Sequence, residues 1–142
     1  MTDAAPQPTR LADYRPFPLT PEEVRLPFRL APSATRVVSA VRYRANPAGS
    51  GPVRLDGEGL RLIRAAVDGV ALAAGDFLLD ETGITLTRPL PDRFLWEAEV
   101  EIDPAANTRL EGLYMSRGLY CTQCEAQGFR RITFYPDRPD VM

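Results

Sequence analysis

The stretch that decides the fold is residues 94–103, FLWEAEVEID. Apolar and acidic residues alternate along it with a period of two, which is typical of a β-strand with one buried and one solvated face. The residues expected to face the core are Trp96, Ala98, Val100 and Ile102. Those expected on the other face are Glu97, Glu99, Glu101 and Asp103. Carboxylates on a flat outer face are normally wet, so this acidic row fits solvent far better than a metal ion.

Similar strands are predicted on the N-terminal side of this stretch. Residues 24–30 predict a half-buried strand at a sheet edge, because Pro27 has no N–H to donate to a neighbouring strand. Residues 35–44 predict a second strand, rich in β-branched side chains. The dipeptide Asp68-Gly69 between two apolar runs predicts a hairpin turn. Shorter strands are predicted at residues 53–55, 60–67, 77–79 and 84–87.

The whole chain predicts an all-β fold, an antiparallel β-sandwich or saddle. Its 14 prolines and 10 glycines are spaced so that strands fit between them and long helices do not. A chain of 142 residues is one domain by size. Within it, residues 1–20 are rich in proline and alanine and predict an extended N-terminal arm, and residues 21–142 predict the β-sandwich domain.

Composition argues against several classes of partner. The formal net charge is −2 with acidic and basic residues interspersed, so no basic face is available for nucleic acid or for an anionic membrane. A secretory signal has a basic segment followed by an apolar one, and the first residues, MTDAAP, contain neither. No apolar run approaches the length of a membrane-spanning helix. The cytoplasm is therefore the expected location.

The two cysteines stand in C-x-x-C spacing, as Cys121 and Cys124. Half a zinc site is one interpretation, but tetrahedral zinc takes four ligands and the chain has no second pair and no histidine. A redox pair is another, although such pairs usually sit at a helix N-terminus in a βαβ context. In an extended chain these residues lie about 10 Å apart, beyond the disulfide limit of about 7 Å. Two buried thiols fit best.

Residues 110–140 hold the sharpest chemical feature, a polar cluster among apolar residues. If the chain is extended there, Cys121, Gln123 and Glu125 share one face, so an amide and a carboxylate can converge on one ligand. The same alternation would run on through residues 129–135. From the residues alone, an exposed polar turn without function is the commoner explanation of Gln123 and Glu125.

For several arginines and tyrosines in this region we predict structural roles. The arginines are Arg130, Arg131 and Arg138. For Arg138 we expect an ion pair with Asp137 or Asp140. The tyrosines suit a half-wet boundary with another domain. They are Tyr114, Tyr120 and Tyr135.

The same region resembles the bacterial aminopeptidase N family, a group of zinc-dependent, gluzincin-type aminopeptidases. The matching words are NT (107–108), LEGLY (110–114), CTQCEA (121–126), GFR (128–130), IT (132–133) and DRPDV (137–141). Looser similarity runs back to residues 13–15, so nearly the whole chain is covered. It resembles only the first part of such an enzyme, and the resemblance implies the same all-β N-terminal domain, continuing for several strands beyond residue 142.

The resemblance also implies roles for individual residues. In this family a glutamine and a glutamate of the matching T-Q-C-E word reach into the active-site cavity and hold the α-amine of the substrate. By this resemblance Gln123 and Glu125 are the substrate-binding residues. A carboxylate suits that task, because it accepts charge-assisted hydrogen bonds from an ammonium group.

The parent enzyme implied is a zinc aminopeptidase that releases N-terminal residues from peptides. Its zinc helix, H-E-x-x-H, would lie in a catalytic domain beyond residue 142, so we expect no zinc bound by this fragment and no activity from it alone. Its implied partners are a peptide N-terminus and that catalytic domain. The alternatives are a stand-alone β-sandwich binding module and, less favoured, a redox or metal module built on Cys121 and Cys124.

Overall fold

The computed structural model describes residues 7–141. Residues 1–6 of the predicted arm and Met142 lie outside the described residues. The strands of the described part are β1 (Leu19–Arg25), β2 (Phe28–Arg29), β3 (Thr35–Ala45), β4 (Arg54–Asp56), β5 (Arg61–Val67), β6 (Val70–Ala71), β7 (Phe77–Asp80), β8 (Gly83–Leu86), β9 (Arg93–Ile102), β10 (Gly112–Ser116) and β11 (Leu119–Gln123). Two short 3₁₀ helices complete it, at Leu11–Asp13 and Phe129–Arg131. The predicted all-β fold is confirmed.

The largest sheet is antiparallel and is built around β9. Its strand order is β1-β3-β9-β5-β6, with β2 also paired to β3. The long pairing of β3 with β9 runs from Thr35 opposite Ile102 to Arg44 opposite Arg93. Strand β9 alternates as predicted, because Trp96 and Val100 are fully buried and Ala98 and Ile102 nearly so.

The acidic row of β9 faces away from the core and is balanced by arginines of the flanking strands. Arg36 of β3 contacts Glu99 at 3.0 Å and Glu101 at 2.8 Å, and Arg61 of β5 contacts Glu101 at 2.8 Å. These arginines hold the pKa of Glu101 below its usual value, chiefly through the hydrogen bond from Arg61. The solvated-face interpretation is confirmed, with cross-strand ion pairs added to it.

A three-stranded sheet, in the order β4-β8-β7, packs over the inner face of the large one. Leu55 of β4 and Ile84 of β8 are fully buried in the same apolar cluster as Val41, Trp96 and Val100 of the large sheet. The predicted hairpin turn is confirmed, because β5 and β6 are joined at Asp68 (φ 49°) and Gly69 (φ 78°). No helix of the described residues has the length and apolarity needed to cross a bilayer.

The strand predicted at residues 24–30 is only partly correct. It lies at the sheet edge as expected, but the chain breaks between β1 and β2, where the carbonyl of Pro27 accepts a hydrogen bond from the N–H of Val38 at 3.1 Å. Its apolar residues are also more exposed than predicted: Val24, Phe28 and Leu30 are 44%, 37% and 53% exposed. Period-two alternation assigns a face to a residue, but burial also needs a second layer over that face.

Candidate functional site

The hairpin of β10 and β11 leads into the segment that carries Gln123 and Glu125. Gly112 pairs with Gln123 at its open end. The extended conformation stops at Gln123, the last residue of β11, and a turn follows over residues 124–128. The expectation that Gln123 and Glu125 alternate along an extended chain is therefore wrong.

The turn nevertheless brings these two residues together. The side-chain oxygen Oε1 of Gln123 accepts a hydrogen bond from the backbone N–H of Glu125 at 3.2 Å. Both side chains are exposed, and the carboxylate of Glu125 forms no salt bridge within residues 7–141. The peptide bond from Glu125 to Ala126 is cis. The amide oxygen keeps a second lone pair, so amide and carboxylate can both accept hydrogen bonds from one cationic ligand.

Close packing of Gly128 against the end of β11 fixes the far side of the turn. A Cβ atom placed on Gly128 would lie 2.6 Å from the carbonyl oxygen of Gln123 and 3.0 Å from Cα of Cys124. A side chain at this position would push the two segments apart. The absence of a Cβ at Gly128 therefore lets the turn fold back on the strand that presents Gln123.

After the turn the chain is buried rather than alternating. Residues 129–131 form a 3₁₀ helix, and all six residues from Ile132 to Asp137 are buried. The expected two-faced strand over residues 129–135 is therefore wrong. Tyr135 instead forms an isolated antiparallel bridge with Asp56, with hydrogen bonds of 2.9 and 3.0 Å, and this ties the segment to the end of β4.

A network of ion pairs connects residues 130–137 to neighbouring parts of the fold. Arg130 contacts Asp137 at 2.9 Å and Glu58 at 3.7 Å. Arg131 contacts Glu58 at 2.8 Å and Glu111 at 3.1 Å. The hydrogen bond from Arg130 to Asp137 is the main cause of the raised pKa of that guanidinium. The network joins the 3₁₀ helix at Phe129–Arg131 to the β4–β5 connection, to Asp137 and to the residue before β10, so both arginines have structural partners.

Arg138, the last arginine of the region, contacts the segment before β1. Arg138 pairs with Asp140 at 2.8 Å, as expected, while Asp137 pairs with Arg130 instead. Arg138 also donates to the carbonyl oxygen of Arg15 at 2.8 Å, and the hydroxyl of Tyr14 donates to Asp140 at 2.8 Å. The segment before β1 is thus held against the segment around residue 140.

Both cysteines are free, and both are half-buried rather than fully buried as expected. Cys124 packs against the core, and burial raises the pKa of its thiol, with a smaller contribution from the carboxylate of Asp137. Within residues 7–141 no group of three or more His, Cys, Asp or Glu side chains is placed to hold a metal ion.

The residue that sequence reasoning missed is Asp137. Its carboxylate oxygen Oδ2 accepts hydrogen bonds from the backbone N–H groups of Gly128 and Arg130 at 3.0 and 3.2 Å. Its place in the matching word DRPD is the only sign in the sequence that points to Asp137. The residues around Asp137 do not indicate that its carboxylate will accept hydrogen bonds from Gly128, nine positions earlier.

Comparison with solved structures shows which known proteins share this fold. Legionella pneumophila aminopeptidase A in complex with aspartic acid superposes with a TM-score of 0.81 at 24% identity, over 92% of this chain and 16% of that chain. A Deinococcus radiodurans M1 zinc metallopeptidase bound to a Tyr-Ser-Ala substrate gives 0.68 at 17% identity, over 85% of this chain and 30% of that one. The fold is that of the N-terminal domain of M1 aminopeptidases.

Sequence comparison identifies aminopeptidases to which the chain is similar in sequence. Aminopeptidase N of Caulobacter vibrioides is 49% identical over 142 residues, which is 100% of this chain and 16% of the relative. Aminopeptidase N of Escherichia coli K12 is 40% identical over 137 residues, 96% of this chain and 15% of the relative. No family model matches the chain. The chain corresponds to the N-terminal region of bacterial aminopeptidase N, and the resemblance drawn from its motifs is confirmed. It spans about one sixth of the length of these relatives.

Proposed function

We propose that this chain is the N-terminal domain of a longer zinc-dependent aminopeptidase, and that Gln123 and Glu125 anchor the free α-amine of the peptide substrate. The observation that carries the proposal is the junction of β11 with the following turn, where the exposed amide of Gln123 accepts a hydrogen bond from the backbone N–H of Glu125, whose own side chain is exposed. Two structural relatives support a substrate of this kind, since one binds aspartic acid and the other a Tyr-Ser-Ala substrate.

The chemistry assigned to this domain is recognition. The carboxylate of Glu125 accepts hydrogen bonds from the substrate ammonium, and the amide oxygen of Gln123 accepts another. Gripping the end of the peptide fixes its register, so only the first peptide bond can reach the catalytic groups. A peptide without a free terminal amine gives this pair no cation to hold, which restricts the enzyme to chain ends.

Zinc, when bound in the longer protein, would activate water and polarise the scissile carbonyl. The residues of this chain do not fit that metal. The sequence contains no histidine, and residues 7–141 bring together no suitable donor group. We therefore assign the zinc ligands to the catalytic domain that would pack against this one, and we expect the 142-residue chain alone to be inactive. Its two free cysteines suit a reducing compartment, and the cytoplasm is the proposed location.

The test is the substitution Glu125→Ala in the longer protein, with an alanyl anilide as substrate. A hydrogen bond to a charged group contributes about 1.5–3 kcal/mol, so kcat/KM is expected to fall about 10- to 150-fold while the zinc content stays unchanged. Glu125→Gln keeps a hydrogen-bond acceptor and removes only the charge, so it should lower kcat/KM less than Glu125→Ala does.

The matched control is Glu81→Ala, which removes an exposed glutamate from the turn between β7 and β8. It should leave kcat/KM unchanged. If Glu125→Ala behaves like this control, the T-Q-C-E word is structural and the anchoring role is wrong. Chelator-sensitive hydrolysis of the anilide by the 142-residue chain alone would contradict the assignment of the catalytic groups to another domain.

A further inference from the structure

The carboxylate of Asp137 is the most heavily used acceptor near the candidate site. Its Oδ2 atom receives the N–H groups of Gly128 at 3.0 Å and Arg130 at 3.2 Å, and also the side-chain Nε of Arg130 at 2.9 Å. The residue is only 9% exposed. Three donors on one nearly buried carboxylate oxygen make a rigid junction, because each donor loses its partner if the carboxylate moves.

Asp137 is itself fixed to the body of the domain. Its backbone N–H donates to the carboxylate of Asp56 at 2.9 Å, and Asp56 is paired through its backbone with Tyr135. Asp56 is the last residue of β4. The junction thus connects the three-stranded sheet to the turn that presents the candidate site.

On the other side, the junction reaches Gln123 and Glu125 through Gly128. The backbone of Gly128 lies directly against the carbonyl of Gln123 and Cα of Cys124. Within residues 7–141, Asp137 provides the only side chain outside the segment 123–128 that hydrogen-bonds residues 124–128. The bond from Glu125 to Gln123 is internal to the segment and cannot fix its position relative to the sheet.

We propose that Asp137 is a positioning residue for Gln123 and Glu125, holding their turn at a fixed place relative to the sheet through Gly128 and Arg130. This inference rests on the proposed function, because it assigns to Asp137 the accuracy with which that pair meets the substrate amine. A displacement of about 1 Å at a substrate-binding group can lower the rate about 100-fold. Replacing Asp137 can therefore lower the rate even though Asp137 does not contact the substrate.

The experiment is a double-mutant cycle in the longer protein, with kcat and KM measured for the alanyl anilide. Asp137→Ala alone should lower kcat/KM about 10- to 100-fold. In the Glu125→Ala background the same change should lower kcat/KM several-fold less than it does in the wild type, because only Gln123 is left to be positioned and residues that act through one another are not additive. The matched control is Asp140→Ala, which removes a carboxylate that pairs with Arg138 and Tyr14 instead of the turn.

Each outcome separates the two proposals. If Glu125→Ala alone leaves kcat/KM unchanged, the anchoring function fails and the inference fails with it. If Glu125→Ala is damaging but the effect of Asp137→Ala is fully additive to it, anchoring stands and the positioning role is overturned. Thermal unfolding and zinc content of every variant check that the fold is intact.

A milder variant keeps the test decisive if Asp137→Ala does not fold. Asp137→Asn retains an acceptor for the two backbone N–H groups and loses the charge that Arg130 contacts. Its loss of kcat/KM should be smaller than that of Asp137→Ala and should again shrink in the Glu125→Ala background. Failure of both variants to fold would make Asp137 a folding residue and overturn the proposal.

Discussion

The hydroxyl of Tyr43 gives the sharpest stability prediction. Tyr43 lies on β3, is fully buried, and packs its ring 5.7 Å from that of Phe94. Its hydroxyl oxygen has no hydrogen-bond partner among residues 7–141. The substitution Tyr43→Phe keeps the ring and removes only the unpaired polar group, so it is expected to stabilise the protein.

The size of the effect follows from the cost of burying that hydroxyl. A buried polar group without a partner costs about 1–3 kcal/mol, which Tyr43→Phe should recover. An unfolding entropy of about 2.1 cal/mol/K per residue over 142 residues gives roughly 0.3 kcal/mol/K. The midpoint of thermal unfolding should therefore rise by about 3–10 °C.

The same residue predicts a pH dependence. Burial raises the pKa of Tyr43 well above its ordinary value near 10. Above pH 10 the unfolded chain releases this proton while the folded chain keeps it, so stability falls as pH rises, by up to about 1.4 kcal/mol per pH unit. Tyr43→Phe lacks this loss, so its advantage over wild type should widen between pH 9 and pH 11. Tyr135, whose pKa is also raised by burial, is present in both proteins and adds a loss of the same sign to each.

The assay is urea unfolding followed by circular dichroism and by the fluorescence of Trp96, the single tryptophan of the chain. Tyr14→Phe is the matched control, because the hydroxyl of Tyr14 donates to Asp140 at 2.8 Å and its removal should bring no gain. A Tyr43→Phe protein that is less stable than wild type by about 1 kcal/mol or more would refute the reasoning, because the hydroxyl must then be hydrogen-bonded in solution.

Two further predictions concern packing and thiol reactivity. A methyl group on Gly57 would overlap the ring of Phe134, so Gly57→Ala should destabilise the protein by about 1–3 kcal/mol, whereas Gly75→Ala meets open space and should not; equal unfolding midpoints for the two variants would contradict this. Because burial raises the pKa of the Cys124 thiol, iodoacetamide at pH 8 should alkylate it more slowly in the folded chain than in urea, as measured by peptide mass spectrometry. The same rate in both states would show that the thiol is not shielded.

The strands could be predicted where their signal is local. The alternation along β9 and the Asp68-Gly69 turn depend on residues within a few positions of one another, and both appear as expected. Burial at the sheet edge could not be predicted, because the exposure of Val24 and Phe28 depends on how far the second layer extends. That extent is set by residues distant in the sequence.

The sequence singles out the candidate residues but does not predict their geometry. Gln123 and Glu125 are singled out by the T-Q-C-E word, while the residues alone favour an exposed polar turn. In the structure both are exposed, with Gln123 at the end of β11 and Glu125 in the turn that follows. Its shape depends on the contact of Gly128 with β11 and on the carboxylate of Asp137. Asp137 lies nine residues from Gly128, and the contact of Gly128 with β11 needs a reversal of the chain, so strand periodicity carries no signal for this arrangement.

The contacts of Tyr14 and Arg15 with Asp140 and Arg138 join two segments that are far apart in the sequence. The hydrogen bond of 2.8 Å between Tyr14 and Asp140 links positions 126 residues apart, so it closes a loop that includes most of the described residues. The entropy of closing so long a loop must be paid before the contact forms, so these two segments are expected to dock late in folding.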